Sequence, residues 1–193
     1  MQEWLNRIIA KASWCKAVCF TMLFAVLYLS INFSAIGQAG LLELTDGANM
    51  LDMYFGYNHS QAFQILSDLG AEGRTFYLTR IVPQDALLPL IYLLFFSELI
   101  ALLLKHSNLS AKAARFTGYL LLIPVLAAVF DWLENIGTVT MTLRYPDLPA
   151  WAVYLASFSG MMKAVFTILS VATIILLLAL WLLQRLSSGD RAP

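Results

Sequence analysis

Residues 164–183 read AVFTILSVATIILLLALWLL, and this stretch decides the fold class of the chain. It is the strongest apolar run in the sequence and contains no charged residue. A helix of about 20 apolar residues crosses the roughly 30 Å hydrocarbon layer of a bilayer. The stretch therefore predicts a transmembrane helix.

Three further apolar runs predict spans at about 17–36, 86–104 and 116–141, and the run quoted above belongs to a span of about 150–183. The composition agrees, because 60% of the residues are hydrophobic and only 12% are charged, whereas a soluble domain has roughly 25% charged residues. The length predicts one domain, 1–193. We expect an all-α, membrane-embedded four-helix bundle.

Basic residues at the ends of the spans predict the orientation, because Lys and Arg concentrate on the cytoplasmic side. The larger set is Arg7, Lys11, Lys16, Lys105, Lys112, Arg115, Arg185 and Arg191, and the opposite side has only Arg74, Arg80 and Arg144. Both termini are therefore predicted to be cytoplasmic. The protein is expected in the cell membrane, which is the inner membrane if the source is bacterial.

One alternative for the first span is a cleaved signal peptide. Residues 1–39 combine a basic start, an apolar run and the small-residue site Gly37-Gln38-Ala39. Cleavage would leave three spans. We favour retention, because the run is long for a signal peptide and the remaining polar helices would lose a neighbour.

The segment between the first two spans, residues 37–85, is predicted to form a compact helical cap outside the cytoplasm. It is acidic but rich in apolar and aromatic residues, so its composition does not indicate disorder. Residues 60–69 have the pattern of a short amphipathic helix with Phe63, Leu66 and Leu69 on one face, and Gly70 is a typical C-terminal stop. A second helical stretch is expected to lead from there into span two.

Two further features of residues 37–85 and the start of span two concern ligand binding and the shape of the helix. Most of its aromatic residues are interpreted as cap core, with a ligand-facing role for Tyr54, Tyr57 or His59 as the alternative. Pro83 and Pro89 are expected to bend the helix that enters span two.

Charged residues inside the spans are the most informative feature of the sequence: Glu98, Asp131, Glu134 and Lys163, with Asn135 beside them. Such charges are costly and usually face the bundle interior or a cavity, where they pair with one another. Asp131 shares a helix face with Glu134 and Asn135 at spacings of three and four. Glu98 lies only about 10 Å from the inner surface and is predicted to be separate.

The other charges are predicted to lie at one depth. With a rise of 1.5 Å per residue, Asp131 is roughly 24 Å above the inner surface, Asp85 roughly 30 Å and Lys163 roughly 33 Å. Arg74 and Tyr77 lie just above this level and near one helical face with Asp85.

The sequence therefore predicts an acid-rich pocket under the cap, with Lys163 as counter-ion and Arg74 or Arg144 as further candidates. Its residues are Arg74, Tyr77, Asp85, Asp131, Glu134, Asn135 and Lys163. The alternative interpretation is that these charges only fix helix register, as buried ion pairs often do.

Several kinds of site are not indicated. Two histidines are too few for a three-histidine zinc site, and no HExxH, P-loop or GxSxG motif occurs. A two-carboxylate site for Mg²⁺ or Ca²⁺ is only weakly suggested by Asp85, Asp131 and Glu134. We therefore predict no metal or cofactor, assign no catalytic residue and, with a net charge of zero, expect no nucleic-acid partner.

Three strings carry a resemblance: Gly73-Arg74-Thr75-Phe76-Tyr77, Asp85 followed by Pro89, and Asp131-Trp132-Leu133-Glu134-Asn135. They resemble strings of small bacterial four-helix membrane proteins of uncharacterised function, over about residues 51–163. The resemblance implies the four-helix fold and no activity. The topology is also similar to that of claudin-like proteins, whose loop cysteines are missing here, and of emopamil-binding-like proteins, through the intramembrane acids alone.

Three functions remain open from the sequence. We favour a pocket for a lipid or another amphiphile at the level of the outer leaflet. A non-catalytic subunit or assembly factor of a membrane complex, or a homo-oligomer, is the alternative. The third is a membrane enzyme that uses Asp131 or Glu134 as general acid or base. A small transporter is less favoured than these, because four spans are few without oligomerisation and no inverted repeat is evident.

Overall fold

The computed structural model describes residues 2–107, 109 and 116–189 of the chain. It is 86% helical, with no strand in these ranges. Four helical segments are long and apolar enough to cross a membrane: Trp14–Leu44, Gly70–His106, Gly118–Arg144 and Ala150–Ser187. The predicted four apolar helices are thus confirmed and indicate a multi-pass membrane protein. Three residues of the charge argument, Lys112, Arg115 and Arg191, lie outside the described ranges.

Eight α-helices follow one another along the described chain. They are α1 (Gln2–Lys11), α2 (Trp14–Phe33), α3 (Gln38–Leu44), α4 (His59–Asp68), α5 (Gly70–Phe76), α6 (Val82–His106), α7 (Leu122–Arg144) and α8 (Ala150–Gly189). Short 3₁₀ turns lie at Leu51–Met53 and Gly118–Leu121, and the π-helical turn Tyr77–Ile81 joins α5 to α6.

The predicted bounds of the spans differ from the observed helices at their ends. The first spanning helix α2 ends at Phe33 rather than at 36, because the amide and hydroxyl of Ser34 both donate to the Ser30 carbonyl and close the last turn. The fourth, α8, continues past 183 to Gly189. Residues 70–85 form one continuous helical run with α6, so only residues 38–69 make up a separate connecting segment.

The amphipathic helix of the connecting segment is confirmed as α4, but its predicted buried face is partly wrong. Asn58 and Gln61 form a capping box at its start. The buried face comprises Ala62, Ile65 and Leu66, whereas Phe63 is 38% exposed and stacks on the ring of Tyr145 at 5.3 Å. This face packs on Met141, Leu148, Ala152, Val153 and Ala156 at the α7–α8 turn.

A left-handed glycine separates α4 from α5. Gly70 has φ +63°, a conformation that costs glycine little. The predicted helix stop is therefore confirmed, and the chain turns there to begin the helical run that becomes α6.

The π-helical turn has a local cause in Pro83. Proline lacks an N–H and disturbs the preceding turn of a helix, and the Val82 amide instead donates to the Tyr77 carbonyl five residues back. The wide turn also corrects the phase of the helix. In a regular α-helix, side chains eight residues apart point in directions that differ by about 80° around the helix axis. The wider turn reduces this difference, and Tyr77 and Asp85 are both buried.

Packing is tightest between α7 and α8. A Cβ added to Gly137 would lie 2.7 Å from the Ala152 carbonyl oxygen and 2.8 Å from Cβ of Ala156. Small residues of this kind allow helices in a bilayer to approach closely. Helix α6 packs on this pair, and α2 packs on α6, where Phe24 stacks on Phe95 at 4.9 Å.

Glu98 has a separate role at the other end of the bundle. Its Oε1 accepts the Ser13 amide at 2.7 Å, which satisfies an N–H at the start of α2. Lys105 donates to the carbonyls of Ala10 and Ala12. Two charged side chains of α6 thus hold the turn between α1 and α2.

Candidate functional site

The centre of the polar cluster is a three-residue ion-pair group. The Lys163 ammonium lies 3.3 Å from Oδ1 of Asp131 and 2.6 Å from Oε2 of Glu134. The two carboxylates are only 2% and 4% exposed, and the lysine side chain is 21% exposed. Gly160 provides the space beside Glu134, because a Cβ there would lie 2.6 Å from Oε1.

Hydrogen bonds from α6 and α7 fix the Asp131 carboxylate. The Tyr92 hydroxyl donates to its Oδ2 at 3.0 Å. The Asn135 amide nitrogen lies 3.5 Å from its Oδ1 and 3.4 Å from the Asp85 carbonyl oxygen. Asp131 is therefore held by a cation, a phenol and an amide, as a buried charge requires.

A second layer of acids lies above this centre. The Tyr77 hydroxyl donates to Oδ1 of Asp52 at 3.0 Å, so the connecting segment contributes a carboxylate to the cluster. Asp85 is 7% exposed, and its strongest charged neighbours are Asp131 and Asp52. Among the described residues, no donor is hydrogen-bonded to the Asp85 carboxylate.

Tyr57 attaches the connecting segment to α8 above the cluster. Its backbone amide donates to the Ser157 hydroxyl at 2.8 Å. Its buried phenol lies beside Thr138 and within electrostatic range of Glu134. Burial, with the negative charge of Glu134 as the next cause, raises the pKa of the phenol far above its ordinary value, so Tyr57 remains a neutral donor.

The two predicted arginine counter-ions lie elsewhere. The Arg74 guanidinium donates to the Leu66 carbonyl at 2.7 Å and lies 3.9 Å from the centroid of the Tyr145 ring. Arg74 precedes Tyr77 by three residues, which turns its side chain by about 60° towards α4. Arg144 is exposed at the end of α7. Within the described ranges, Lys163 is the one cation that pairs with Asp131 and Glu134.

A groove of about 370 Å³ reaches the cluster from the side of the bundle. Tyr92, Asp131 and Lys163 form its polar end. Its walls are Phe24 and Tyr28 of α2, Leu88 and Phe96 of α6, and Thr167 and Ile168 of α8. Tyr28 is 46% exposed and Ile168 is 66% exposed, so the groove opens on the apolar outer surface between α2 and α8.

The geometry does not form a metal site in the described part of the chain, where no three acidic, histidine or cysteine side chains come close enough together to hold an ion. Asp131 and Glu134 are instead bound to one ammonium. The chemistry available at the groove is charge pairing with Asp131 and Lys163 and hydrogen bonding with Tyr92, with apolar contact along the walls.

Sequence reasoning missed Tyr92 and Asp52. Tyr92 follows Asp85 by seven residues, a spacing that keeps both on one helix face, and this signal would have found it. Asp52 had no such signal, because it lies in a loop whose contact with Tyr77 depends on the folding of the connecting segment. Tyr57, considered as ligand-facing, is buried within electrostatic range of Glu134, while His59 is hydrogen-bonded to the Leu148 carbonyl.

No protein-family description matches the chain, and no curated protein or solved structure is found to be similar to it. The case for a function therefore depends on the geometry and chemistry of the cluster and the groove.

Proposed function

We propose that this protein is a multi-pass membrane protein that binds a lipid or another amphiphile in the groove between α2 and α8. One observation carries the proposal. A single cavity joins a wall of aromatic and aliphatic side chains to a buried ion-pair cluster. An amphiphile has the same two parts: its apolar chain contacts the walls, and its polar head contacts Asp131 and Lys163.

The position of the opening supports a ligand that arrives through the membrane. The exposed side chains that line the opening are aromatic on one side and aliphatic on the other, Tyr28 on α2 and Ile168 on α8. In a bilayer these residues contact lipid tails, so an amphiphile enters sideways without crossing water. A water-soluble ligand would have no such path from this side.

We place the cluster at the level of the outer leaflet. Lys163 precedes Arg185 by a helical distance of roughly 33 Å, about the thickness of the hydrocarbon layer. The larger set of basic residues then faces the cytoplasm with both termini. Residues 38–69 become an extracytoplasmic cap over the cluster.

Native mass spectrometry tests the proposal on protein extracted from its membrane in a mild detergent. Thr167→Trp fills the groove from a half-buried wall position, and Ile168→Trp fills it from an exposed one. Leu176→Trp adds the same ring on α8 at a residue that is 70% exposed and does not line the groove, so it is the matched control.

We expect a discrete bound mass on the wild type and on Leu176→Trp, and its loss from folded Thr167→Trp or Ile168→Trp. A wild type without an adduct, or an adduct that persists in both groove variants, contradicts the proposal. A co-purifying protein in place of the adduct would instead favour a non-catalytic subunit of a membrane complex.

A further inference from the structure

A second apolar cavity, of about 320 Å³, lies at the end of the bundle opposite the connecting segment. Its walls include Trp4 and Ile8 of α1, Phe20 of α2, Leu93 and Leu94 of α6, and Val125 of α7. None of these residues lines the groove between α2 and α8. Trp4 is 57% exposed and Leu94 is 36% exposed, so the cavity opens on the outer surface of the bundle.

Helix α1 lies across this end of the bundle. At its start, the Gln2 side chain lies beside Gly118, where an added Cβ would be 3.3 Å from the Gln2 amide nitrogen. At its end, Lys105 donates to the Ala12 carbonyl at 2.8 Å. Gly118 and Lys105 flank the connection between α6 and α7, so both ends of α1 lie at the same end of the bundle. Leu5 packs inwards and is fully buried, as on the apolar face of a helix in a membrane interface.

The basic residues of α1 lie on the flank that borders the cavity. Lys11 follows Trp4 by seven residues and Arg7 follows it by three, which places them about 20° and 60° from Trp4 around the helix axis. On α2, Lys16 precedes the cavity residue Phe20 by four residues, a rotation of about 40°. All three basic side chains are exposed. They form a basic rim, Arg7, Lys11 and Lys16, on the helix faces that line the cavity.

The basic rim has no carboxylate partner in the described ranges, where the ion pairs are those of Lys163. The Lys16 ammonium donates to the Lys11 carbonyl at 2.8 Å, which leaves two of its three N–H groups. The acids nearest in the helices are Glu98, whose Oε1 already accepts a backbone amide, and the exposed Glu3. The three cations outnumber these two acids even when both acids are ionised.

We propose that this cavity is a second lipid site, which holds an acyl chain of an anionic phospholipid while the basic rim contacts its phosphate. The apolar walls suit the chain, and basic residues beside a membrane surface attract acidic lipids. A zwitterionic lipid has the same phosphate but adds a cation, which the rim repels. The site is separate from the groove between α2 and α8, and it does not depend on what that groove binds.

Native mass spectrometry in a neutral detergent tests the proposal with palmitoyl-oleoyl phosphatidylglycerol and the phosphatidylcholine that has the same chains. We expect phosphatidylglycerol to bind the wild type at least about fivefold more tightly. Arg7→Gln/Lys11→Gln should reduce this preference to less than about twofold. Arg80→Gln/Arg144→Gln removes two exposed cations at the other end of the bundle and should keep it, so it is the matched control. Equal binding of both lipids to the wild type, or a preference that Arg7→Gln/Lys11→Gln leaves unchanged, overturns the proposal.

A second pair of variants locates the bound chain. Leu94→Trp fills this cavity, and Thr167→Trp fills the groove between α2 and α8. Phosphatidylglycerol binding should weaken at least about fivefold in Leu94→Trp, because methylene groups of the chain lose their contacts, and should persist in Thr167→Trp. The reverse result would place the lipid in the groove and reject the second site. Arg7 and Lys11 are exposed and unpaired, so their variant decides the question even where Leu94→Trp does not fold.

Discussion

At the scale of single residues, Lys163 maintains the polar cluster. Its ammonium is the shared partner of two almost fully buried carboxylates, those of Asp131 and Glu134. Removing one partner of a buried pair leaves the other charge without compensation, which costs about 3–5 kcal/mol. The loss is larger than for an exposed cation, where solvent replaces the partner.

Lys163→Met is therefore expected to lower the free energy of unfolding by about 3–5 kcal/mol. The double variant Lys163→Met/Glu134→Gln should recover part of this loss, because one buried charge disappears with the cation. Arg144→Gln removes an exposed cation and should change stability by no more than about 0.5 kcal/mol. Denaturant titration of each protein in detergent measures these differences. A double variant no more stable than Lys163→Met would show that Lys163 does not act through Glu134.

The sequence predicted those members of the cluster that carry a charge inside an apolar run. Asp131, Glu134 and Lys163 are conspicuous there, because a charge in a span is costly. Tyr92 is uncharged and Asp52 lies in a loop, so neither carries this signal. Arg74 was assigned to the cluster from its charge, its depth and its helical spacing to Asp85, but a helical rotation of about 60° relative to Tyr77 directs it to Leu66.

At the scale of the elements, the α7–α8 pair positions the site through two glycines with different surroundings. A Cβ at Gly137 would meet backbone atoms of the facing helix, at 2.7 Å and 3.0 Å. A Cβ at Gly160 would instead meet the end of the Glu134 side chain at 2.6 Å. Gly137→Ala would therefore force the two helix backbones apart, whereas Gly160→Ala would require only a movement of the Glu134 carboxylate.

Gly137→Ala should consequently destabilise the protein by about 1–3 kcal/mol, the usual cost of overpacking. Gly160→Ala should destabilise the protein less than Gly137→Ala, since only the end of the Glu134 side chain has to move and a gain in helix propensity of up to about 1 kcal/mol offsets part of that displacement. Thermal unfolding in the same detergent compares the two variants. Equal losses in both would contradict the close approach of α7 and α8.

The elements themselves were largely predictable, because apolar length and helix signals are local. The Gly70 stop and the helix after it follow from such signals. The π-helical turn was expected only as a bend near Pro83, since the way a helix accommodates a proline depends on its neighbours. The buried face of α4 was misassigned at Phe63, because Tyr145 offers this ring a partner at the surface.

At the scale of the whole molecule, the groove exists because α2 packs on α6 while α8 packs on α7. Phe24 of α2 stacks on Phe95 of α6 at 4.9 Å. Near the C-terminal end of α2, the Ser30 hydroxyl donates to the side-chain oxygen of Gln84 at 2.7 Å. Single-helix patterns do not reveal which spans are neighbours. For this reason the sequence predicted a polar pocket and not its opening between α2 and α8.

The orientation of the bundle makes a separate prediction. Green fluorescent protein fused to the C-terminus should fluoresce, because that end is expected in the cytoplasm. Alkaline phosphatase fused after Gly47, in an open turn of the connecting segment, should be active, because that segment is expected outside. The reverse pair of results would place the cluster on the cytoplasmic side and contradict an outer-leaflet site.

The most direct measurement of the central claim is to locate a bound amphiphile by photo-crosslinking. A dodecanol probe with a diazirine in its chain is added to nanodiscs that contain the protein, and labelled residues are identified by peptide mass spectrometry. We predict labelling concentrated on α8 at Ala164, Thr167 and Ile168 and on α2 at Phe24 and Tyr28, and its loss in Thr167→Trp. Labelling spread evenly over the lipid-facing surface, and unchanged in Thr167→Trp, would contradict the account.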